Sequence, residues 1–437
     1  MQVHSWGRFP KTDSKIVRPQ SLAQVQELLA AHQQLEPSGL IARGCGRSYG
    51  DSALASTLVC TGLLDHFISF DEDKAEVKCA AGVSLSSLLE HFVPRGFFLP
   101  VVPGTRFVSL GGAIASDVHG KNHHIDGSFG AHVKELSLLL ANGELISCSP
   151  THNADLFHAT CGGMGLTGII VDATISLKPI SSSCIEQRSF KAQNLSEIFA
   201  LFDEYKDASY SVAWLDCLAK NEHLGRSILY IGEHAERGAL DAIKRSKLPI
   251  PIDAPSFMLN RYTMGAFNKL YFHKPIKEGS KQIIGLQPFF FPLDSIESWN
   301  RLYGKNGFVQ YQFLVPTDAA KDAIEKVLNT TRNAGKGSFL SVLKKFGPAN
   351  KNWLSFPKPG YTIALDFKWE PSLEAVLREL DAIIIDHGGR LYLTKDARMS
   401  EQMFKAGYEN WNKFVQLRQE TGADKVFNSL QSRRLGL

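Results

Sequence analysis

Short apolar or alternating segments, separated by glycine- and proline-rich turns, fill the first 180 residues of the chain. Ser21 has the character of an N-cap, and apolar residues recur at helical spacing from Leu22 to Leu29. Asn142-Gly143 separates two strand-like segments and predicts a hairpin turn. The predicted strands are Ile16–Pro19, Leu40–Ala42, Ala75–Ala81, Glu135–Leu140, Glu144–Ser147 and Ile169–Leu177, and a short helix is predicted over Ser84–Phe92.

The pattern changes beyond residues 178–183, a Lys-Pro-Ile-Ser-Ser-Ser segment that has the composition of a linker. Strand patterns then mix with amphipathic helices, which is typical of an α+β domain with an antiparallel sheet. The clearest elements are strands Phe308–Val315 and Tyr361–Phe367, helices Thr317–Ala334 and Leu373–His387, and a last strand Arg390–Thr394 before a helical tail. We predict an α+β protein with domains at 1–180 and 181–390 and a C-terminal segment at 391–437.

Composition agrees with a globular protein and narrows the function classes. A chain of 437 residues with 44% hydrophobic and 21% charged residues has material for two cores. The net charge of +4 gives no basis for nucleic-acid binding. No segment has signal-peptide character and no apolar run is long enough to span a bilayer. We therefore expect a soluble, cytoplasmic protein, with peripheral contact to the inner membrane left open. Seven cysteines without CxxC spacing predict buried free thiols.

The first glycine cluster is Gly44-Cys45-Gly46-Arg47-Ser48-Tyr49-Gly50-Asp51, directly after a predicted strand. Three glycines in seven residues let the backbone approach a ligand closely and aim several N–H groups at one point, a geometry that suits a pyrophosphate. Arg47 and Ser48 add further donors. The alternative is a plain tight turn, which needs only one or two glycines.

Two more clusters follow. Small residues from Gly111 to Ser116 leave room for a flat group against the backbone, although close packing of a helix on a sheet also selects Gly and Ala. Residues 163–168 match GxGxxG, but the strand-like segment Ile169–Leu177 follows where a dinucleotide-binding turn needs a helix. We therefore reject a Rossmann interpretation of the third cluster.

His119, His123 and His124 lie within six residues, yet no nearby carboxylate or thiolate completes a metal site, and neighbouring residues point opposite ways on a strand. An active-site loop is favoured over a metal site, and a solvated loop is the alternative. Gln310 and Gln312 share one face of a predicted strand and line a cavity or face water. By itself, Lys395 has the pattern of a surface lysine. The apolar run Phe289–Phe291 is best interpreted as a core strand.

Placed in order, these segments resemble the FAD-binding fold of the vanillyl-alcohol oxidase superfamily, with a PCMH-type FAD-binding domain, an antiparallel-sheet substrate domain, and a C-terminal segment that returns to the FAD domain. The resemblance extends over nearly the whole chain. Its motifs are Ser5–Arg8, Ala42–Asp51, Val102–Arg106, Gly111–His124, Gly127–Gly130, Gly165–Ile170, Leu293-Asp294, Trp299–Arg301, Gln310–Phe313, Phe346–Pro348, Leu354–Pro357, Gly388–Tyr392 and Lys395-Asp396.

The resemblance implies a set of FAD contacts. Some relatives bind flavin covalently through a histidine of the first glycine loop; this loop carries Arg47 and Tyr49 and no histidine, so non-covalent FAD is expected. The implied contacts are Ala42, Arg43, Gly44, Cys45, Gly46, Arg47, Ser48, Tyr49, Gly50, Asp51, Ser52, Gly104, Ser109, Leu110, Gly111, Gly112, Ser116, Asp117, Val118, His119, Ile170 and Tyr392.

The resemblance also implies catalytic roles for Lys395, His119 and Tyr49. The implied substrate pocket contains Lys121, Trp214, Gln310, Gln312, Lys344, Phe346 and Ala364. Members of the subfamily from arabinan-building bacteria carry Cys at the position of Ala364 and Asn at that of Thr362. These departures put the lipid substrate in doubt, and they remove the thiol that inhibitors of such members could attack.

The implied reaction is oxidation of the 2′-hydroxyl of a polyprenyl-phospho-β-D-ribose to a 2′-keto sugar, the first half of an epimerisation that makes an arabinose donor for the cell envelope. A separate NAD(P)H-dependent short-chain reductase completes it. Lys395 either accepts the hydroxyl proton or, charged, stabilises the negative charge placed on the flavin. The alternatives are an FAD-dependent oxidase of free sugars, alditols or aldonolactones, and a flavin-binding protein without turnover.

Overall fold

A computed structural model describes residues 1–33, 39–243, 248–255, 258–338 and 340–437. The strands in these ranges are β1 Gln2–His4, β2 Lys11–Asp13, β3 Lys15–Val17, β4 Leu40–Arg43, β5 Thr57–Cys60, β6 Phe67–Asp71, β7 Glu76–Ala80, β8 Phe97–Phe98, β9 Val133–Leu139, β10 Leu145–Cys148, β11 Ile169–Ser176, β12 Lys178–Pro179, β13 Cys184–Ala192, β14 Tyr210–Leu215, β15 Ser227–His234, β16 Leu248–Pro249, β17 Gln282–Gly285, β18 Ile296–Glu297, β19 Phe308–Val315, β20 Ser341–Phe346, β21 Gly360–Lys368 and β22 Arg390–Leu391.

The helices of the same ranges are mostly short in the first half of the chain and longer in the second. They are α1 Leu22–Gln33, α2 Leu85–Phe92, α3 Leu110–Ala115, α4 His123–Asp126, α5 Ala154–Thr160, α6 Leu195–Glu204, α7 Arg261–His273, α8 Leu286–Phe290, α9 Ala320–Asn333, α10 Leu373–Asp386, α11 Glu401–Gly407, α12 Trp411–Glu420, α13 Ala423–Val426 and α14 Leu430–Leu435.

Two sheets organise the first 180 residues. A three-stranded parallel sheet has the order β3-β5-β4, and β4 leads directly into the first glycine loop. A five-stranded antiparallel sheet has the order β10-β9-β11-β7-β6. Buried apolar residues of this sheet pack with those of α2 and α3 in one core. The buried side chains fix the strands of these sheets, and the strands in turn support the glycine loops.

The second half of the chain forms an eight-stranded antiparallel sheet with the order β17-β13-β15-β14-β20-β21-β19-β22. Helices α9 and α10 pack against it through buried apolar residues such as Ile324, Val327 and Leu377. In the register of β19 and β21, Gln310 lies opposite Asp366 and Gln312 lies opposite Ala364. Because side chains alternate along a strand, these four residues share one face of the sheet.

The C-terminal helices contact the first half of the chain. Phe427 forms a bridge with Leu40 and packs in a core with Val25 and Leu29 of α1. The buried guanidinium of Arg418 donates to the Leu166 carbonyl at 3.1 Å. These contacts place the tail beside the strands that carry the glycine loops. The division of the chain into domains at residues 180 and 390 stays a prediction.

The structure confirms the α+β class and most of the predicted elements. Ser84 caps α2, as its Oγ accepts from the Ser87 amide at 3.0 Å. The turn at Asn142-Gly143 joins β9 and β10, which pair antiparallel, and Gly143 has the positive φ that such a turn requires. The GxGxxG segment leads into β11, as expected from its apolar continuation.

Two expectations about local structure were wrong. The predicted strand Arg390–Thr394 ends at Leu391, because the amides of Lys395 and Asp396 both donate to the Tyr392 carbonyl and close a turn. Phe289–Phe291 is buried but mostly helical, since Phe289 and Phe290 lie in α8; a short apolar run does not distinguish buried strand from buried helix.

Cysteine burial was also predicted too broadly. All seven thiols are free, but Cys45 is exposed, because it lies on the first glycine loop rather than in a core. None of the helices in the described ranges is both long and apolar enough to cross a lipid bilayer.

Candidate active site

A cavity of about 1030 Å³ lies where the glycine loops of the first half meet one face of the eight-stranded sheet. Its wall on one side comes from the first glycine loop, from residues 103–121 and from the third glycine cluster. The opposite wall comes from β14, β19, β20, β21 and the turn after β22, including Gln310, Gln312 and Lys344. This volume is at the upper end for ligand sites, so it has room for a large cofactor together with a small organic substrate.

Glycines and other small residues form the first wall. A Cβ at Gly44 would lie 2.0 Å from Ser109 Oγ, and one at Gly111 would lie 2.9 Å from Ala81 Cβ, so loop and helix pack as closely as glycine allows. A Cβ at Gly104 would meet no atom within 4 Å. Gly104 therefore leaves part of the cavity open. A wall of this kind accommodates a flat, extended group lying against the backbone.

The first glycine loop is fixed by contacts with Trp6, which also lines the cavity. The guanidinium of Arg47 lies 4.1 Å from the ring centroid of Trp6, whose amide donates to the Ser48 carbonyl at 2.9 Å. Gly46 has a φ of 64°, a conformation that glycine adopts without strain. These contacts leave a preformed loop with Arg47 at the cavity wall.

Lys395 lies at the centre of the second wall. Its Nζ is 3.8 Å from the ring centroid of Tyr49. Burial lowers the pKa of Lys395 to about 7, with Asp366 opposing the shift and Lys344 adding to it. Burial raises the pKa of Tyr49 well above its usual value. At neutral pH the site therefore holds an amine that is partly in its neutral form, beside a protonated phenol.

Asp366 is the principal residue of this wall that the sequence analysis missed. Burial raises the pKa of its carboxyl to about 7, while a hydrogen bond from Gln310 and the charge of Lys395 oppose the shift. Gln310 Nε2 donates to Asp366 Oδ1 at 2.5 Å. The available signal was the two-residue spacing from Thr362 through Ala364 to Asp366, which puts all three on the cavity face of β21.

His119 is the buried polar residue between the two walls. Gln312 Nε2 donates to His119 Nε2 at 3.1 Å, and within the described ranges Nδ1 has no hydrogen-bonding partner. Burial lowers the pKa of His119 well below its usual value, with Lys344 contributing. A neutral imidazole with one uncommitted buried nitrogen is suited to a hydrogen bond with a ligand.

Two further lysines of the cavity have lowered pKa values. Burial lowers the pKa of Lys121 to about 7, with Lys344 adding to the shift, and it lowers that of Lys344 to about 8. Lys121 Nζ donates to the Phe289 carbonyl and lies 4.4 Å from the ring centroid of that residue. Both lysines and Trp214 line the cavity. An anion brought near them would be paired with amines that water does not screen.

Most residues implied as FAD contacts line this cavity, and their individual contacts with FAD stay predictions. Those that line it are Ala42, Gly44, Cys45, Gly46, Arg47, Ser48, Tyr49, Ser52, Gly104, Ser109, Gly111, Gly112, Ser116, Val118, His119, Ile170 and Tyr392. Of the residues implied for substrate, Lys121, Trp214, Gln310, Gln312, Lys344 and Ala364 line it.

Six implied residues lie behind the wall instead. Arg43 donates to the carbonyls of His4 and Ala53, and Leu110 is a core residue. Gly50 packs against the Asp396 carbonyl, 1.7 Å from where a Cβ would stand. These three residues therefore stabilise the fold of the loops instead of lining the cavity. The others are Asp51, Asp117 and Phe346.

Asp117 anchors the histidine loop. It has a φ of 39°, and its carboxylate accepts from the Gly130 amide, Asn350, Asn352 and Ser355 at 2.6–2.9 Å. The three histidines diverge as a result. His123 accepts from the Gly347 amide and His124 bonds to the Ala208 carbonyl, and both lie in α4, within the segment interpreted as a loop. Phe346 packs on His119 with ring centroids 4.8 Å apart.

Arg434 joins the first glycine loop to the turn that carries Lys395. Its Nη2 donates to Asp51 Oδ1 at 2.7 Å and to Asp396 Oδ2 at 2.8 Å, and both carboxylates are buried. Replacing Arg434 with Met leaves two buried carboxylates without their shared cation, so we expect the free energy of unfolding to fall by about 3 kcal/mol.

Denaturant unfolding of the holoprotein measures this effect. Arg378→Met is the matched control, because that guanidinium is exposed and pairs with Glu374 at 3.5 Å. Equal midpoints for Arg434→Met and Arg378→Met would contradict the anchoring role.

Comparison with known proteins identifies the relatives of this chain. Residues 14–149 match the family model of an FAD binding domain. The whole chain is 37% identical to decaprenylphosphoryl-β-D-ribose oxidase of Mycolicibacterium smegmatis, over 97% of that protein. It is 21% identical to L-gulono-1,4-lactone dehydrogenase of Mycobacterium tuberculosis, over 98% of both chains. A putative D-arabinono-1,4-lactone oxidase of Neurospora crassa is 33% identical over 41% of this chain and 33% of its own length.

These relatives agree with the site. The matched FAD domain supplies β4, the first glycine loop and Gly104–Ser116, which form the close-packed wall. FAD is therefore the cofactor of this chain, and the glycine wall has the shape and openness to hold it. At 37% identity over its full length, the chain belongs to the decaprenylphosphoryl-β-D-ribose oxidase family of FAD-dependent sugar oxidoreductases.

Proposed function

We propose that this chain oxidises the 2′-hydroxyl of decaprenylphosphoryl-β-D-ribose, or of a polyprenylphosphoryl ribose of another chain length, to the 2′-keto sugar. The single observation that carries the proposal is the convergence of a glycine-lined wall with Lys395, Tyr49 and Asp366 in one cavity. The relative that is 37% identical over the whole chain is an oxidase of the same ribose compound. The lactone dehydrogenase is similar at lower identity, and the putative lactone oxidase is similar over less of the chain.

Bound against the glycine wall, FAD would supply the acceptor for the hydride that leaves the carbinol carbon of the sugar. Lys395, in its neutral form, accepts the hydroxyl proton, because its depressed pKa makes the free amine available near neutral pH. Tyr49, held against Lys395, and His119, with its uncommitted nitrogen, orient the hydroxyl or pass the proton on. Gln312 keeps the imidazole in place.

The remaining residues match the other parts of the substrate. Lys121 and Lys344 provide cations for the phosphate, and a phosphate raises their pKa by favouring the charged form. Phe289 and Phe290 line the cavity and offer apolar contact to the first isoprene units, while they also pack in the core. Ala364 and Thr362 lie on the cavity face of β21, so these two departures affect the substrate side of the site.

The keto product requires a second enzyme for epimerisation. We propose that a separate NAD(P)H-dependent reductase consumes it, because net inversion at the carbinol carbon needs a hydride returned from the opposite face. The two together would supply an arabinose donor.

The experiment is to add prenylphosphoryl ribose, ribitol, free ribose and an aldonolactone separately to the anaerobic holoenzyme and to record flavin absorbance. Bleaching by the prenylphosphoryl ribose alone supports the proposal. Bleaching by ribitol, ribose or the lactone assigns the chain to soluble sugar oxidation, and no bleaching by any of them leaves a flavin-binding protein without turnover.

The pH dependence of this reduction tests the role of Lys395. Since the neutral amine is the active form, we expect the rate to rise with pH through about 7 and then to level off. Asp366 raises the pKa of Lys395 and Lys344 lowers it. The midpoint should therefore move to lower pH in Asp366→Asn and to higher pH in Lys344→Met.

Rapid-reaction measurement of flavin bleaching across pH gives both midpoints. The opposite signs of the two shifts separate an electrostatic effect on Lys395 from general damage to the site. A rate that falls as pH rises through 7 would instead show that the charged amine is the active form.

A further inference from the structure

Helix α7, Arg261–His273, turns large apolar side chains toward solvent. Tyr262 is 70% exposed, Leu270 is 75% exposed and Phe267 is 43% exposed. Tyr262, Ala266 and Leu270 are spaced four residues apart and so form one row along the helix. We call the row and its neighbour Phe267 the α7 face. A surface helix normally directs such residues to the core.

The orientation of α7 is fixed by its opposite side, which carries polar as well as apolar contacts. Asn268 is fully buried, and its Nδ2 donates to Asp216 Oδ1 at 2.8 Å. The same carboxylate pairs with Arg226 at 2.7 Å. Phe272 is buried against Trp214 and Ile228. Rotating the α7 face inward would break a buried hydrogen bond to a charged group, so the packing of the helix itself keeps this face exposed.

The surroundings of the α7 face are basic. Arg261, Lys269 and Lys277 are exposed, and Lys281 is exposed while paired with Glu186. Within residues 258–285, all of which are described, Glu278 is the one acidic residue. Apolar side chains flanked by cations are typical of helices that lie in the interface of anionic membranes.

The α7 face adjoins the mouth of the cavity. Phe267, Tyr271 and Lys274 of this segment line the cavity, as does Ile296, which is itself 37% exposed. Tyr271 packs against Trp214 with ring centroids 4.7 Å apart, which connects the outer helix to the substrate wall. A lipid extending from the cavity would leave it beside this helix.

From this arrangement we infer that the α7 face docks on the surface of an anionic phospholipid bilayer and holds the mouth of the cavity against it. The inference rests on the proposed function, because a polyprenyl chain resides in a bilayer and only its sugar phosphate needs to enter the cavity. Apolar side chains enter the interfacial region, and the flanking cations attract the anionic headgroups. Docking then makes the lipid substrate accessible without extraction into water.

The test uses the full-length holoprotein and vesicles of equal parts phosphatidylglycerol and phosphatidylcholine, without substrate. We expect co-sedimentation that salt weakens and that vesicles of phosphatidylcholine alone do not support. Tyr262→Asp combined with Leu270→Asp should lower the partition coefficient about tenfold or more. Lys269→Glu and Lys277→Glu should each lower it about fivefold. Leu145→Asp, at a 42% exposed apolar position on β10, is the matched control.

A second measurement separates this inference from the proposed function. With a short-chain, water-soluble prenylphosphoryl ribose, the Tyr262→Asp/Leu270→Asp variant should bleach its flavin as the parent does. With a long-chain substrate embedded in vesicles, its rate should fall in parallel with vesicle binding. If the short-chain compound fails with the parent protein, the proposed function is lost while vesicle binding still reports on docking.

Three results would overturn the inference. The first is that the parent protein does not bind vesicles. The second is that the Tyr262→Asp/Leu270→Asp variant binds vesicles as well as the parent does. The third is that both proteins bind vesicles equally while the variant loses self-association or reductase binding. The last result would assign the α7 face to a protein partner.

Discussion

Replacing Lys395 with Ala should reduce the rate of substrate-dependent flavin bleaching by about a thousandfold or more while FAD stays bound, the magnitude expected for loss of a positioned general base. The physical reason is the burial of this amine. It lies against the Tyr49 ring and interacts with the charge of Asp366, and burial lowers its pKa to about 7. Stopped-flow absorbance gives the rate, and flavin content per protein gives retention of the cofactor.

Lys351→Ala is the control, because that lysine is exposed and lies outside the cavity. Added small amines provide a further check, since a missing base is rescued in proportion to free amine whereas a collapsed site is not. Bleaching at the parental rate in Lys395→Ala would refute the role of this residue, whatever the substrate.

The second large effect is expected from Gly104→Trp. A Cβ at Gly104 meets no atom within 4 Å, and this glycine lines the cavity, so an indole there occupies ligand space without disturbing the core. We expect FAD affinity to fall about 100-fold or more, equivalent to ~3 kcal/mol. The purified variant should therefore be colourless. Flavin titration by fluorescence quenching measures the affinity, and circular dichroism reports whether the fold is retained.

Gly62→Trp is the matched control. A Cβ at Gly62 also meets no atom within 4 Å, but this glycine is exposed and is not part of the cavity lining. It should keep its colour. If Gly104→Trp also binds FAD with parental affinity, the glycine wall does not form the cofactor site.

Much of the FAD half could be predicted from the sequence because its signals are local. Gly44 and Gly46 follow a predicted strand and Gly111 opens the second cluster of small residues, and the structure places each of them at a close contact or a positive φ. The strand that follows the GxGxxG segment was enough to reject a Rossmann turn. Hairpin and capping signals at Asn142-Gly143 and Ser21 depend on a few neighbouring residues, so they were visible without the fold.

The substrate wall depended on contacts that are distant along the chain. Lys395 had the pattern of a surface lysine, and only the family resemblance assigned it to the site. Its burial results from the turn after β22, from pairing of β19 with β21, and from Tyr49, which lies more than three hundred residues earlier. The periodicity of a single segment does not indicate contacts between residues that are distant along the chain, and Asp366 was missed for that reason.

The sequence by itself therefore determined the α+β class, the glycine loops and, through its motifs, the FAD cofactor, because backbone conformation follows from nearby residues. Only the tertiary structure decided that Arg43, Asp51, Asp117 and Phe346 support the wall from behind, and that Asp366 and Lys395 line one cavity, where the charge of Asp366 raises the pKa of Lys395. The reason is that burial and charge are properties of surroundings: a lysine's proton affinity is set by the groups that folding brings against it.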